Sequence, residues 1–351
     1  MHPNLIKIAS QSAYLSFHGF HAFFTTINYK IPPPNALSMS APFVSVIIPT
    51  HNRMEPLEKC LARVCSQDYP KKSYEIMVVD DYSTDGTPSL VRMLQKKHHN
   101  LHYLQIQRKS PGAARNAGLA KAKGEIIAFT DDDCVAPHDW ISSLVKEFLG
   151  TDTAAVGGAV SNPTNRYIAH ASHLLNFYPW LPAGKKRFMK EIPTANVAYR
   201  RASIQGMLFP EFPNDSVYED SLFNYALYRK EGKILFCPNI IVEHHAWGED
   251  DGLKKFFLLQ RKKAYGFLRG GYIVHGKKGT LLRNIKILNI FCPGFFAAFW
   301  GSLRAGNPLR FLFCSPLILA GYLYRGGVIL LTGDISAWQI PPLSSRSKTR
   351  R

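Results

Sequence analysis

Between Val44 and Asp133 the chain alternates short, almost wholly apolar runs with stretches whose apolar residues recur at helical spacing, and this alternation constrains the fold more than any other feature. The runs are Val44 to Pro49, Tyr74 to Asp80, Leu101 to Ile106 and Ile126 to Phe129. Between them Leu57, Leu61 and Val64, then Leu90, Val91 and Leu94, then Ala113, Ala117 and Ala120 mark helices. Thr87 before Pro88 and Ser110 before Pro111 supply a cap followed by a favoured first helical residue. Strands that are apolar without alternation belong in a sheet covered on both faces. Strands alternating with helices predict an α/β fold with a mostly parallel, right-handed sheet flanked by helices, whose ligands sit at the strands' carboxyl ends.

Every polar cluster in this half falls at such an end. Pro49, Thr50 and His51 follow the first run, Asp80 and Asp81 close the second, and Asp131, Asp132 and Asp133 follow the fourth. Three adjacent carboxylates repel one another unless a cation relieves them, so a divalent metal site stands against a solvated acidic turn. Arg115 and Asn116 lie early in a helix, where a guanidinium and backbone N–H groups can meet a phosphate or an aspartate. Neither a Gly-x-Gly-x-x-Gly turn after the first strand nor a Gly-x-x-x-x-Gly-Lys loop is present, which disfavours dinucleotide oxidoreductases and P-loop ATPases.

Taken in order, the segments 44–52, 78–87, 112–118 and 129–133, continued by 194–201, the pair Glu219-Asp220 and 242–244, resemble the successive motifs of family 2 glycosyltransferases, enzymes of the GT-A fold. The resemblance covers roughly 43–266 and implies inverting transfer of a sugar from a nucleotide-diphospho-sugar with a divalent metal, Mg²⁺ or Mn²⁺. It implies that Asp81 contacts the base and that Pro49, Thr50 and His51 line the nucleotide pocket. Arg115 then stands near the donor, Asp132 contacts ribose or the donor sugar, and Asp131 with Asp133 forms the Asp-x-Asp pair at the metal. A metal held by carboxylates suits the chemistry, because a diphosphate leaving group gathers negative charge as the glycosidic bond breaks.

Such a displacement still needs a positioned carboxylate to take the acceptor's proton. Glu219 and Asp220 open a stretch with Leu222, Tyr225 and Ala226 at helical spacing, closed by Gly232. Acidic residues in a first turn are common for electrostatic reasons alone. The resemblance implies that Asp220 is the catalytic base, with Glu219 as acceptor contact or orienting group. Asn196, in an apparently alternating strand 194–199, reads equally as a donor contact or as a satisfied strand asparagine. His244 ends an apolar run where the family often has a histidine near diphosphate or metal, although His245 beside it leaves the choice open.

Charge and hydropathy divide the remainder. Six scattered cysteines without a Cys-x-x-Cys pair suit a reducing compartment. Residues 1–42 read as an appendage with a proline-rich linker over Ile31–Pro42 and no secretory design, 43–266 as the catalytic domain, 267–340 as a membrane-associated helical region and 341–351 as a basic disordered tail. The net charge of +18 concentrates between Lys254 and Lys286, beside apolar stretches at 287–303 and 311–331. Basic residues next to apolar segments point to an anionic membrane surface and not to nucleic acid. Arg304 and Arg310 between the two stretches favour interfacial or re-entrant helices over a spanning hairpin, with buried core helices as a further option. The expected protein is a membrane-associated transferase on the cytoplasmic face of the cell membrane, acting on a lipid-linked or cell-surface glycan acceptor. It is expected to be non-processive, since 260–264 does not reproduce a Gln-x-x-Arg-Trp motif. An inactive nucleotide-sugar-binding scaffold and a nucleotidyltransferase are the competing readings.

Overall fold

The structure is a computed structural model that describes residues 41–107, 110–212, 217–245, 252–287, 291–306 and 308–331. The expectations for 1–40 and for the tail 341–351 fall outside these residues. The four apolar runs form β1 (Val44–Thr50), β2 (Tyr74–Asp80), β3 (Leu101–Gln105) and β4 (Ile126–Phe129), and the helices between them are α1 (Met54–Val64), α2 (Thr87–Gln95) and α3 (Pro111–Lys121). β3, β2, β1 and β4 lie side by side in that order and all pair in parallel. Their carboxyl ends therefore share one edge, as the alternation predicts.

Alternate residues of β1 feed opposite cores. Val46 and Ile48 pack with Leu57, Leu61 and Val64 of α1, whereas Ile47 on the other face packs with Ala114 of α3. α3 can lie this close because it is built from small residues. A Cβ added at Gly118 would stand 2.6 Å from Cγ2 of Ile47. Ser110 caps α3 by accepting from Ala113 N at 3.2 Å, as expected. At α2 the cap position is Gly86 and Thr87 is the first helical residue; the Asp85 carboxylate, two residues before it, accepts from Thr87 N at 3.0 Å.

The second half of the sheet is mixed. After β5 (Cys134–Val135) and α4 (Trp140–Lys146) come β6 (Ala155–Ser161), α5 (Tyr167–Phe177), β7 (Arg187–Met189), β8 (Val197–Arg200), α6 (Glu219–Arg229) and β9 (Ile234–His244). β8 runs antiparallel to both β4 and β6, β6 runs parallel to β9, and β5 and β7 pair antiparallel with β9. The expected strand at 194–199 is instead a 3₁₀ turn, Thr194–Asn196, leading into β8.

Three helices complete the described chain: α7 (Leu253–Ile287), α8 (Phe291–Arg304) and α9 (Pro308–Leu331). α7 runs without interruption through the expected domain boundary at 266. Phe311, Cys314, Ile318 and Tyr322 of α9, spaced three to four apart, are buried against Leu174 and Leu175 of α5 and Phe256 of α7. At Gly321 an added Cβ would meet Leu175 at 2.6 Å and Phe256 at 2.8 Å, so a side chain there would hold α9 off its seat. Pro316 lies inside α9, and the carbonyl of Leu312 that its missing N–H leaves over accepts instead from the Ser315 hydroxyl at 2.8 Å. The C-terminal apolar stretches are thus partly a core for the rest of the fold. α8, at 14 residues, is too short to cross a bilayer, whereas 308–329 of α9 is long and apolar enough, with a mean hydropathy of 1.4.

Candidate active site

The carboxyl edge of the parallel strands opens into a cavity of about 640 Å³, walled on its far side by α5, α6, α7 and α9. Pro49, Thr50, His51, Asp81, Arg115, Asp131, Asp132, Asp133, Glu219, Asp220 and His244, drawn from positions up to 195 residues apart, all line it. The loops that carry them are stitched together. Asn52 and Tyr82, the positions just beyond β1 and β2, both have positive φ, at 51° and 65°. This turns the chain so that Asn52 N donates to Ser83 Oγ at 2.8 Å and Asn52 Oδ1 accepts from Thr84 N at 2.7 Å. Asp80 is consumed in the same loop, accepting from Ser83 N at 2.8 Å and from the Tyr103 hydroxyl, which leaves Asp81 as the acid of that pair facing the cavity.

The three aspartates have three different environments. Asp131 pairs with Arg115, whose Nη2 lies 2.9 Å from Oδ1. Asp132 accepts from the Thr50 hydroxyl at 2.7 Å and lies 3.4 Å from Nε of Arg53. Asp133 accepts from Nη2 of Arg53 at 2.7 Å and has Nε2 of His244 3.4 Å from its other oxygen. Burial pushes Asp132 up to about 7, Asp133 adding to the effect and Arg53 opposing it. Asp133 is equally buried, but His244 and Arg53 outweigh that burial and hold its carboxyl below the usual range. Arg53 follows β1 in a short turn and carries no signal of its own in the sequence. Only the fold brings it to acids some 80 positions away.

Arg115 links the two halves of the site. Buried in α3, it reaches Asp131 with one nitrogen and Oε1 of Glu219 with the other at 2.6 Å. Burial disfavours its charge, but Asp131, Glu219 and Asp220 together raise its pKa further. Its role in the fold is to bridge carboxylates, and Asn116 beside it turns away, donating to Phe209 O at 2.9 Å and to Glu211 at 3.0 Å. Burial, against Arg115 and with Asp220 assisting, raises the pKa of Glu219, whose Oε2 is buried with no hydrogen-bond partner.

Asp220 stands in the first turn of α6, where Oδ1 accepts its neighbour Ser221 N at 2.7 Å. The helix starts abruptly because Tyr218, before it, adopts φ 100° and ψ 0°, a costly conformation for an aromatic residue. α7 holds this bend from behind through two glycines one turn apart. A Cβ at Gly266 would lie 2.5 Å from Val217 O, and one at Gly270 would lie 2.8 Å from the Tyr218 ring. Glu191, which the sequence reading passed over, also lines the cavity; burial and then the charge of Asp220 push its carboxyl up to about 8.

His244 reaches the aspartates because β5 pairs with β9 in a register that sets it opposite Cys134. Ligand atoms of Asp131, Asp133, Cys134 and His244 lie within 4.8 Å of one another. Burial, followed by the neighbouring aspartates, pushes the Cys134 thiol well up, so it stays protonated and ligates poorly. Two carboxylates and an imidazole are left, a donor set that fits Mg²⁺ or, with its nitrogen, Mn²⁺. His245 points elsewhere, toward Glu243 at 3.3 Å.

Asn196 is the exception among the expected site residues. It is fully buried outside the cavity lining, its Nδ2 donating to Ala159 O at 2.8 Å and Ile240 O at 3.0 Å while Oδ1 accepts from the Trp140 indole at 2.9 Å. These bonds tie the 3₁₀ turn to β6, β9 and α4, as the alternative of a satisfied asparagine expects.

Comparison with known proteins agrees with this geometry. Residues 45–208 match the family described as Glycosyl transferase family 2. The Glycosyltransferase AglE of Haloferax volcanii is 42% identical over 125 residues, 35% of this chain and 41% of that protein. A dolichyl N-acetyl-alpha-D-glucosaminyl phosphate 3-beta-D-2,3-diacetamido-2,3-dideoxy-beta-D-glucuronosyltransferase of Methanococcus voltae is 26% identical over 245 residues, 67% of this chain and 75% of its own. Among solved structures, the mannosyltransferase PcManGT from Pyrobaculum calidifontis in complex with GDP-Man and Mn²⁺ superposes with a TM-score of 0.56 at 20% identity, over 84% of this chain and 89% of that one. That likeness establishes a shared fold.

Proposed function

We propose that this chain, a member of glycosyl transferase family 2 through its residues 45–208, transfers a sugar from a nucleotide-diphospho-sugar to an acceptor hydroxyl by a single inverting displacement. The observation that carries the reading is one cavity lined by Asp81, the aspartates of 131–133 and the pair Glu219-Asp220, side chains that this reading assigns to the nucleotide, the diphosphate and the acceptor's proton. Pro49, Thr50, His51 and Asp81 receive the base and ribose, Asp132 the ribose or donor sugar. Asp131, Asp133 and His244 would hold Mg²⁺ or Mn²⁺. Bound there, the cation supplies neutralisation of the charge that develops on the leaving diphosphate.

The protein's own groups do the rest. Asp220 takes the proton of the acceptor hydroxyl as its oxygen bonds to the anomeric carbon and the bond to the diphosphate breaks, which inverts that carbon and needs no covalent intermediate. Arg115 holds the carboxylates of Glu219 and Asp131 in mutual register, and Glu219 orients the acceptor or the base beside it.

The acceptor is proposed to be lipid-linked or a cell-surface glycan precursor. The Methanococcus voltae relative is named for a dolichyl-linked sugar phosphate, and a Campylobacter jejuni relative, 43% identical over 108 residues, for a PP-undecaprenol acceptor. The outer sides of α8 and α9 also expose Phe296, Trp300, Leu309, Leu312 and Phe313, which suits docking of these helices at a lipid interface on the cytoplasmic face.

Incubating the protein with UDP-, GDP- and TDP-sugars and either cation, and identifying the phosphate product, tests the reaction class. Release of nucleoside diphosphate supports it. Release of pyrophosphate would identify a nucleotidyltransferase, and no binding of any nucleotide sugar would reject both.

A further inference from the structure

The wall of the cavity formed by the C-terminal helices is cationic, and the transfer reaction as described does not use it. Lys255, Leu258, Leu259, Lys262 and Lys263 of α7 all line the cavity. Their spacing sets them on one face of the helix, so that ammonium groups and leucines alternate along it. Arg325 of α9 joins them from the neighbouring helix.

Arg325 is the informative member. Its Nη2 donates to Asn176 Oδ1 at 3.1 Å and to Gln260 Oε1, both neutral amides. Its Nε is buried without any acceptor. Among the described residues no carboxylate lies within ion-pair distance of it. Burying a guanidinium beside neutral groups is unfavourable unless an anion completes the site. Glu191 is the nearby acid on this wall, and since its carboxyl is pushed up to about 8 it stays largely protonated at neutral pH and cancels little of the charge of Lys263. The side chains that could hold a metal, Asp131, Asp133 and His244, come from the strand edge and not from these helices, so on the proposed reading the donor's diphosphate does not require this wall. A planar guanidinium with a vacant N–H, flanked by lysines, matches a phosphate, and the interleaved leucines match an apolar chain attached to it.

We propose that Arg325 with Lys262, Lys263 and Lys255 forms a phosphate subsite for the acceptor, on the side of Asp220 away from the Asp131–Asp133 pair. The inference rests on the glycosyl-transfer reading and gives its acceptor a chemical class, a phosphate ester presented beside the hydroxyl that reacts. The phosphate can belong to a lipid or to a soluble polyol phosphate, and the two are separable by experiment.

Binding of farnesyl phosphate, glycerol phosphate and farnesol to the full chain in detergent, with chelator present so that the donor end holds no cation, tests the subsite by calorimetry. Farnesyl phosphate is expected to bind and farnesol not. Arg325→Gln and, separately, Lys262→Gln are each expected to weaken that binding about tenfold, the loss of one charge-assisted contact. Binding of farnesyl phosphate alone assigns a lipid phosphate, and equal binding of glycerol phosphate assigns a polyol phosphate. The proposal is overturned if farnesyl phosphate binds no better than farnesol, or if binding survives both Arg325→Gln and Lys262→Gln. Nucleotide-sugar binding with Mn²⁺, measured on the same preparations, shows that the variants are folded. It also separates failure of this subsite from failure of the glycosyl-transfer reading, since only the latter predicts that the donor does not bind.

Discussion

Arg115→Met should destabilise the fold through Glu219 more than through Asp131. The wild-type guanidinium serves both carboxylates, but the side chain of Glu219 is 10% exposed and that of Asp131 28%. Without Arg115, Asp131 can turn toward water in the cavity while Glu219 cannot. Breaking a buried pair by removing one partner typically costs about 3–5 kcal/mol. Glu219 has one escape, which is to fold protonated. Starting from an ordinary glutamate, that costs about 3.7 kcal/mol near pH 7 and about 1 kcal/mol near pH 5, at ~1.4 kcal/mol per pH unit. The loss of stability should therefore be close to the lower end of that range at neutral pH and shrink severalfold on acidification. Adding Glu219→Gln to Arg115→Met should recover more than half of it at neutral pH. Urea unfolding of the single and double variants at the two pH values, with chelator present so that no cation replaces the missing charge, measures the coupling. A neutral-pH loss under about 1 kcal/mol, the size of a surface pair, or a loss independent of pH, would refute the account of Arg115 as the bridge of the site.

Three further outcomes follow from neighbouring geometry. Glu191 titrates near 8 in the folded chain against an ordinary 4.5, so between those values the folded state holds the extra proton and stability falls as pH rises; Glu191→Gln should flatten that slope in urea titrations, and an unchanged slope would contradict the assignment. Asn196→Ala should cost about 1–3 kcal/mol because two buried carbonyls lose their donor, yet leave the nucleotide-sugar KM of the folded protein unchanged; a selective rise in KM would restore the donor-contact reading. Gly266→Ala places a methyl against the Val217 carbonyl, and is expected to lower kcat more than tenfold by shifting Tyr218 and Asp220, about 1.4 kcal/mol in the barrier, while nucleotide binding persists; unchanged kcat would show that the bend before α6 is not held from α7.

The parallel half of the fold was legible because its signals are local. β1, β2 and β4 are almost wholly apolar runs, α2 and α3 each have a proline at their start, and the polar residues that follow the strands share an edge once the pairing is parallel. The alanine- and glycine-rich segment 112–118 was legible as a helix, and its packing reason, contact with Ile47, emerges only with the sheet in place. The second half was harder because its strands are short and its chemistry depends on register. A two-residue strand, β5, decides that the imidazole of His244 and not that of His245 meets the Asp133 carboxylate, and no periodicity marks two residues. Asn196 left two readings open because a 3₁₀ turn entering a strand has the same alternation as the strand itself.

Residues whose roles are purely tertiary carried no signal. Arg53 sits in an ordinary turn sequence, Glu191 precedes an unremarkable Ile-Pro, and Arg325 reads as an interruption of an apolar stretch. Each acquires meaning from a partner 29 to 149 positions away. The apolar C-terminal stretches were ambiguous for a physical reason. A helix that packs one face on a core and leaves the other apolar has the composition of a membrane segment, and α9 is built that way, with Ile318 buried and Phe313 71% exposed.

The central claim is that one cavity divides donor binding from proton removal between the aspartates of 131–133 and Asp220. Comparing Asp133→Ala with Asp220→Asn, in equilibrium binding of the nucleotide sugar with Mn²⁺ and in turnover, tests it most directly. The account predicts that Asp133→Ala loses cation-dependent binding, whereas Asp220→Asn binds the nucleotide sugar as the wild type does and loses about 10²–10⁴-fold in turnover. Turnover retained by Asp220→Asn, or cation-dependent binding retained by Asp133→Ala, would contradict it.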